Sequence, residues 1–97
     1  MRIIKKTALI DFYQKHKDAQ IALEDWYTKT KKAEWESFSD IKNTFNSVDS
    51  IGNQHYVFNI RGNNYRLVVV VKMTIKTVYI RFIGTHKEYD KIDAKNI

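Results

Sequence analysis

The sequence predicts an α+β domain in which N-terminal helices pack on one face of an antiparallel β-sheet, with a short helix near the C-terminal end. Apolar residues recur at helical spacing through the first half of the chain. Three segments of the second half are rich in β-branched and aromatic residues, as strands are. A chain of 97 residues has room for one core only, so we expect a single domain over residues 1–97.

The first half is predicted to hold a short edge strand at residues 2–4 and then three helices. Asp18 is the expected N-cap of the second helix, and a third, shorter helix is expected behind Ser39. The apolar face of the first helix is predicted to carry Leu9, Phe12, Tyr13 and His16. The buried face of the second helix is predicted to comprise Ala19, Ala22, Leu23, Trp26, Thr30 and Ala33.

Strands are predicted over residues 55–60, 65–72 and 77–83, with a hairpin turn at Gly62-Asn63. If Ile60 opposes Tyr65 and Lys72 opposes Thr77, alternation assigns every strand residue to a face. The apolar face should pack on the helices, with Phe58, Leu67, Val69, Ile80 and Phe82 buried. The opposite face should collect His55, Asn59, Arg61, Arg66, Tyr79 and Arg81, with Val57, Val68, Val70 and Ile83 between them.

The net charge of +6 is concentrated in the second half of the chain. Residues 55–97 carry eight Lys/Arg against three Asp/Glu, which indicates a polyanion or an acidic partner. The chain has no cysteine, and its three dispersed histidines match no metal-ligand spacing, so no disulfide, metal or thiol nucleophile is expected. No apolar run is long enough for a signal peptide or a membrane span, and we expect a soluble cytoplasmic protein without membrane partners.

A short motif follows the third predicted strand. Thr85 and Glu88 have the spacing of a capping box, so a final helix should begin at His86. His86, Tyr89 and Asp90 would then share one side of that helix. A functional site is one interpretation of this group; a solvated histidine at a helix start, with the tyrosine as a packing anchor, is the other.

Four segments resemble HigB toxins of the host-inhibition type, in the RelE/ParE superfamily: residues 55–59, 64–69, 79–81 and 85–90. The resemblance covers nearly the whole chain. It implies a RelE-like fold, with helices on a twisted antiparallel sheet whose open face holds the active site. It also implies a cofactor-free, metal-independent endoribonuclease that enters the A site of the 30S subunit beside the 16S rRNA, cuts mRNA there and inhibits translation. The implied partner is a HigA-like antitoxin with a helix-turn-helix.

The residue inventory fits this chemistry. Arg66 and Arg81 would offer charged, forked donors to the scissile phosphate, and His86 would serve as general acid or base. Tyr89 would stack on a base or hold a proton, with Asp90 placed to orient His86. Further RNA contacts are predicted for Lys87, Arg61, His55 and Asn59.

Two other functions stay open at this point. A ParE-like toxin shares the fold but inhibits DNA gyrase, which requires no acid–base group. A non-catalytic RNA-binding module would show the same basic surface. The histidine and tyrosine of the final helix, together with two arginines on one sheet face, favour cleavage.

Overall fold

A five-stranded sheet forms the centre of the computed structural model, which describes residues 1–97. The α+β class is confirmed, with three helices before the sheet's main strands and a short one after them. The strands are β1 (Arg2–Ile4), β2 (Val48–Gly52), β3 (His55–Ile60), β4 (Tyr65–Lys72) and β5 (Thr77–Thr85). The helices are α1 (Lys6–Lys15), α2 (Gln20–Lys32), α3 (Phe38–Thr44) and α4 (His86–Tyr89), with 3₁₀ turns at Lys17–Ala19 and Ala94–Asn96.

The strand order is β1-β5-β4-β3-β2, and the sheet is mixed rather than wholly antiparallel. β1 runs parallel to β5, while the other neighbours are antiparallel. A parallel neighbour is possible because the helices separate β1 from the other strands along the chain, so no hairpin joins it to β5. β2 was not predicted, since the sequence Val-Asp-Ser-Ile-Gly has little apolar alternation and only Val48 is buried.

Both predicted hairpin registers are confirmed: Ile60 lies opposite Tyr65, and Lys72 lies opposite Thr77. Between these points the β4–β5 ladder contains a bulge. Val69 faces Ile80 but Val68 faces Phe82, which leaves Arg81 as the extra residue. The bulge moves the following residues of β5 to the opposite faces from those predicted.

Phe82 is therefore wrongly placed by the prediction. It is half-buried and packs with Val57 and Val68 on the sheet face away from α1 and α2. Ile83 takes the core-facing position instead and packs against the main core. One inserted residue has exchanged the environments of two neighbouring side chains.

The main core lies between the helices and the sheet. Leu23, Trp26 and Thr30 of α2 are buried, which confirms the predicted face of that helix. The Trp26 ring meets the Phe58 ring edge-to-face at a centroid distance of 5.6 Å, and Trp35 stacks on Phe58 from 6.4 Å. Burial of each such side chain stabilises the fold by roughly 1.5–3 kcal/mol, which fixes the sheet against the helices.

Two predicted helix starts are wrong. Asp18 lies in the 3₁₀ turn before α2, whose N-cap is Ala19 without a side-chain cap. The carboxylate of Asp18 instead binds the Arg61 guanidinium and the Tyr65 hydroxyl. α3 begins two residues earlier than expected, because the Ser37 hydroxyl accepts a hydrogen bond from the Asp40 backbone N–H at 3.4 Å.

None of the helices combines the length and the apolar character that a membrane-spanning segment needs. The 97 residues also contain no group of three or more His, Cys, Asp or Glu side chains placed to hold a metal ion.

Candidate active site on the open sheet face

We call the sheet face turned away from α1 and α2 the open face. The residues it carries from the three central strands include Val57, Asn59, Arg66, Val68, Val70, Tyr79 and Phe82. Residues 90–97, the C-terminal segment, cover part of this face. Ala94 is buried against Val57 and Val68, with Ile92 beside it. The open face therefore has a covered part and an exposed end next to α4, which we call the α4 end.

A capping box holds the start of α4 at the position predicted. The Thr85 backbone N–H donates to Glu88 Oε1 at 2.8 Å, and the Glu88 backbone N–H donates to Thr85 Oγ1 at 3.2 Å. The hydrogen bond from the Thr85 backbone lowers the pKa of the Glu88 carboxyl below its usual 4.5. The first turn of this four-residue helix is thus fixed to the end of β5.

Gly84 makes room for this arrangement. A Cβ atom at residue 84 would lie 2.5 Å from the tip of the Phe82 ring and 3.0 Å from Glu88 Oε1. The first distance is shorter than real Cβ contacts and the second is tighter than most of them, so the ring and the carboxylate occupy the space that any other side chain would fill. The Phe82 ring then lies 6.5 Å from that of Tyr89, measured between centroids.

His86 and Asp90 form an i, i+4 pair on α4. The distance from His86 Nδ1 to Asp90 Oδ2 is 3.2 Å, and both side chains are more than half exposed. The other ring nitrogen, Nε2, makes no hydrogen bond within the protein. A carboxylate on Nδ1 fixes which nitrogen carries the proton and leaves Nε2 to act on a ligand.

Arg66 approaches the same end from β4, where it lies opposite Gly84. Its guanidinium carbon is 5.9 Å from the centroid of the Tyr89 ring, within the range of a cation–π contact. The Arg66 guanidinium makes one hydrogen bond to the protein, a long one of 3.5 Å to the Asn63 carbonyl, and it has no carboxylate partner. The charge of Arg66 is consequently available to an anion.

Arg81 lies on the bulge of β5, farther from α4. Its guanidinium carbon is 5.7 Å from the Tyr79 ring centroid, and no hydrogen bond or ion pair connects it to His86 or Tyr89. Lys87 is exposed on α4 and has no ion-pair partner. The structure therefore brings Arg66 to Tyr89 of α4, the helix that also carries Lys87 and the His86 end of the His86–Asp90 pair, and leaves Arg81 with Tyr79.

Arg61 does not share a face with Arg66 and Arg81, contrary to the prediction. It has a left-handed backbone conformation (φ 52°) at the β3–β4 turn and forms an ion pair with Asp18 at 3.2 Å. The same carboxylate accepts a hydrogen bond of 2.6 Å from the Tyr65 hydroxyl, and this bond raises the pKa of Tyr65. Because the turn rotates the backbone, Arg61 reaches the helix side of the sheet.

His55 and Asn59 also differ from the expected picture of exposed RNA-binding residues. His55 is 5% exposed, and its ring nitrogens lie 2.6 Å from the Asn53 carbonyl oxygen and 2.8 Å from that of Ile97. The expected exposure of His55 is wrong, because the C-terminal segment covers it. Asn59 is half-buried, and its side-chain amide donates to the Ser47 hydroxyl.

Sequence reasoning missed the C-terminal segment as a cover. The signal was present, since Val57, Val68 and Val70 interrupt the predicted polar face and need shielding from water. Ile92 and Ala94 supply apolar groups at strand-like spacing for that purpose.

Comparisons with known proteins show which family the chain resembles. The HigB toxin family, described as the RelE-like toxic component of a toxin–antitoxin system, matches residues 19–92. The mRNA interferase toxin HigB of Escherichia coli K12 is 38% identical over 99 aligned positions, which cover 97% of this chain and 92% of that protein. The mRNA interferase HigB of Shigella flexneri has the same identity and coverage. The mRNA interferase HigB of Escherichia coli O6:H1 is 27% identical over 94 aligned positions, which cover 95% of this chain and 91% of that protein. The chain belongs to the HigB toxin family.

Proposed function

We propose that this protein is an endoribonuclease toxin that cleaves mRNA and thereby inhibits translation. The observation that carries the proposal is the α4 end of the open face. There, a histidine paired with Asp90 has a free Nε2 on the helix whose Tyr89 ring contacts Arg66, an arginine that has no carboxylate partner. The relatives named mRNA interferase support the same class of reaction.

The reaction we assign needs no metal. The 2′-oxygen of one nucleotide loses its proton and attacks the adjacent phosphorus, and the bond from phosphorus to the 5′-oxygen breaks. The 5′-oxygen then takes up a proton, which leaves a 2′,3′-cyclic phosphate and a free 5′-hydroxyl. His86 is suited to one of these two proton transfers, because imidazole exchanges protons near neutral pH.

Arg66 supplies the charge for the transition state. A guanidinium offers parallel N–H donors that match two oxygens of a phosphate, and its charge persists at every physiological pH. Tyr89 lies between the Phe82 ring and the Arg66 guanidinium, so one part of its ring is supported while the hydroxyl end can meet a nucleotide. Lys87 is positioned to neutralise a neighbouring phosphate, and Arg81 adds a cation on the same face at the β5 bulge.

We further propose that cleavage takes place in the A site of the 30S subunit, beside the 16S rRNA, in the cytoplasm. The excess of five positive charges in residues 55–97 favours a site surrounded by RNA phosphates. An antitoxin of the HigA type, with a helix-turn-helix, would neutralise the toxin. We expect an acidic segment of that partner to cover or flank the α4 end.

The test is induced expression, with mapping of mRNA ends and pulse labelling of protein and DNA synthesis. We expect protein synthesis to stop and new mRNA ends to appear in frame within translated regions. Purified toxin should cut mRNA on programmed ribosomes and leave free mRNA intact. Halted DNA synthesis with intact mRNA would instead identify a gyrase inhibitor. RNA binding without new ends would identify a non-catalytic module. Co-expression of the neighbouring gene should relieve toxicity.

A further inference from the structure

The ring of His55 contacts two hydrogen-bond acceptors at once. Nδ1 lies 2.6 Å from the Asn53 carbonyl oxygen, and Nε2 lies 2.8 Å from the backbone oxygen of Ile97. A neutral imidazole has one N–H donor and one lone pair, so it satisfies only one of these contacts. The other contact would place a lone pair against a carbonyl oxygen in a buried site. Only the doubly protonated ring donates to both.

The two carbonyls belong to different parts of the chain. Asn53 lies in the turn between β2 and β3, where it has a left-handed conformation (φ 54°), and Ile97 lies in the C-terminal segment. A second hydrogen bond joins the same two parts, from the Asn53 side-chain amide to the Lys95 carbonyl oxygen at 3.3 Å. The imidazole ring is thus a bridge between the turn and the C-terminal segment.

The C-terminal segment in turn supports the α4 end. Ile92, Ala94 and Tyr89 belong to one apolar cluster. Val57 and Val68 form its floor, and Ala94 is buried there. Contacts that hold Ala94 on the sheet therefore also restrict the Tyr89 ring.

We propose that His55, in its doubly protonated form, is a positioning residue that fastens the C-terminal segment to the sheet and so fixes Tyr89 for RNA cleavage. The catalytic consequence rests on the function proposed above; the bridge itself does not.

No Asp or Glu side chain pairs with the His55 ring. The charged side chains on the elements around it are Asp49 of β2, Arg66 and Lys72 of β4, and Asp90, Lys91, Asp93 and Lys95 of the C-terminal segment. Lys72 donates to the side-chain oxygen of Gln54, and the Asp93 carboxylate accepts from Asn96 at 2.7 Å. The two backbone oxygens are therefore the partners of the ring. With both nitrogens protonated the ring makes both hydrogen bonds, and with one nitrogen protonated it makes only one.

The first experiment measures protonation and docking in the full-length protein. Nitrogen-15 spectra of the histidine rings, recorded at about pH 6, should show both nitrogens of His55 protonated. Amide exchange of residues 92–97, measured in the same sample, should be slow, because the segment is docked on the sheet. If exchange shows the segment docked while the spectra show only one protonated nitrogen in the His55 ring, the proposal is overturned, whether or not the protein cleaves RNA.

The second experiment uses variants. In His55→Ala, amide exchange in residues 92–97 should become about tenfold faster, as expected for the loss of a buried hydrogen-bond partner. The maximal cleavage rate of His55→Ala should fall while its ribosome affinity is kept. The rate of His55→Gln, which keeps a side-chain donor, should lie between those of wild type and His55→Ala. His16→Gln is the matched control, since that ring stacks on Phe12 at 4.3 Å on the helix side. Unchanged exchange in His55→Ala would contradict the proposal, and if that variant does not fold, the wild-type spectra still decide.

Discussion

The covered part and the α4 end of the open face are built from the same three strands, yet they differ in what they offer a ligand. At the α4 end, His86 and Arg66 keep polar groups free of protein partners. On the covered part, His55 uses both ring nitrogens within the protein, and Val57 is buried. The difference arises from the C-terminal segment, which lies over one part only. Strand alternation decides which face a residue occupies, but a distant segment decides whether it stays exposed.

Arg61 and Arg66 repeat this contrast around a single turn. Arg61 lies in the β3–β4 connection and Arg66 is the second residue of β4; the backbone conformation of Arg61 directs it to Asp18 on the helix side. Arg66 continues the regular alternation of β4 and has no carboxylate partner. Two identical side chains close in sequence therefore have different electrostatic environments.

The largest expected effect concerns the histidine of the α4 end. His86→Gln should lower ribosome-dependent cleavage by about 10²-fold or more, because a proton donor or acceptor is removed from the transition state. The fold and the ribosome affinity should persist, since His86 is exposed and its one side-chain hydrogen bond is to Asp90. Cleavage rates should be compared at equal ribosome occupancy. Full toxicity of the variant would remove His86 from the mechanism.

Gly84→Ala tests whether close packing maintains the α4 end. The added methyl group would meet the Phe82 ring and the Glu88 carboxylate, and overpacking of this kind costs about 1–3 kcal/mol of unfolding free energy. Cleavage should fall as well, because the Tyr89 ring contacts Phe82. Gly62→Ala is the control: Gly62 has a left-handed backbone (φ 65°), which Gly84 does not, and nothing lies within 4 Å of the new methyl group. That variant should lose stability and keep cleavage activity once folded.

Thr85→Ala removes one hydrogen bond of the capping box. The unfolding free energy should fall by about 1 kcal/mol in urea titrations, as for other N-cap residues. Thr85→Ser, which keeps the hydroxyl acceptor, should restore most of the loss. Equal destabilisation by both substitutions would show that packing of the methyl group, and not the cap, stabilises α4.

The smallest effect is a pH dependence at the same cap. The pKa of Glu88 is lower in the folded protein than its ordinary value of 4.5, so the ionised carboxylate stabilises the fold. This contribution to the free energy of unfolding is complete above pH 4.5, and it is lost as the pH falls through the lowered pKa of Glu88. Glu88→Gln should therefore be less stable than wild type near neutral pH, and the gap should narrow in acid. A gap that is constant with pH would contradict this assignment.

Much of the fold follows from local patterns. The apolar face of α2, the three central strands and the capping box at Thr85 were predicted because each depends on neighbouring residues and a regular period. The final helix starts where the capping-box spacing placed it. The arrangement of His86 and Asp90 followed from i, i+4 geometry alone.

The errors on the sheet involve contacts between different segments of the chain. The bulge at Arg81 changes the faces of Phe82 and Ile83, and a local pattern contains no signal for one extra residue in a ladder. The pairing of Arg61 with Asp18 requires the turn to meet a segment 43 positions earlier. His55 is covered by residues about 40 positions later in the chain, which its own strand could not indicate.

The contrast between Arg66 and Arg61 gives the most direct test of the site. Single-turnover cleavage of mRNA on programmed ribosomes should be measured for Arg66→Ala and Arg61→Ala side by side, on folded protein at equal occupancy. Both substitutions remove the same side chain and the same charge from one hairpin. We expect Arg66→Ala to lower the cleavage rate by about 10²–10³-fold, as for the loss of a preorganised transition-state donor, and Arg61→Ala to change it less than about tenfold. Equal losses in the two variants, or full activity of Arg66→Ala, would contradict an active site at the α4 end.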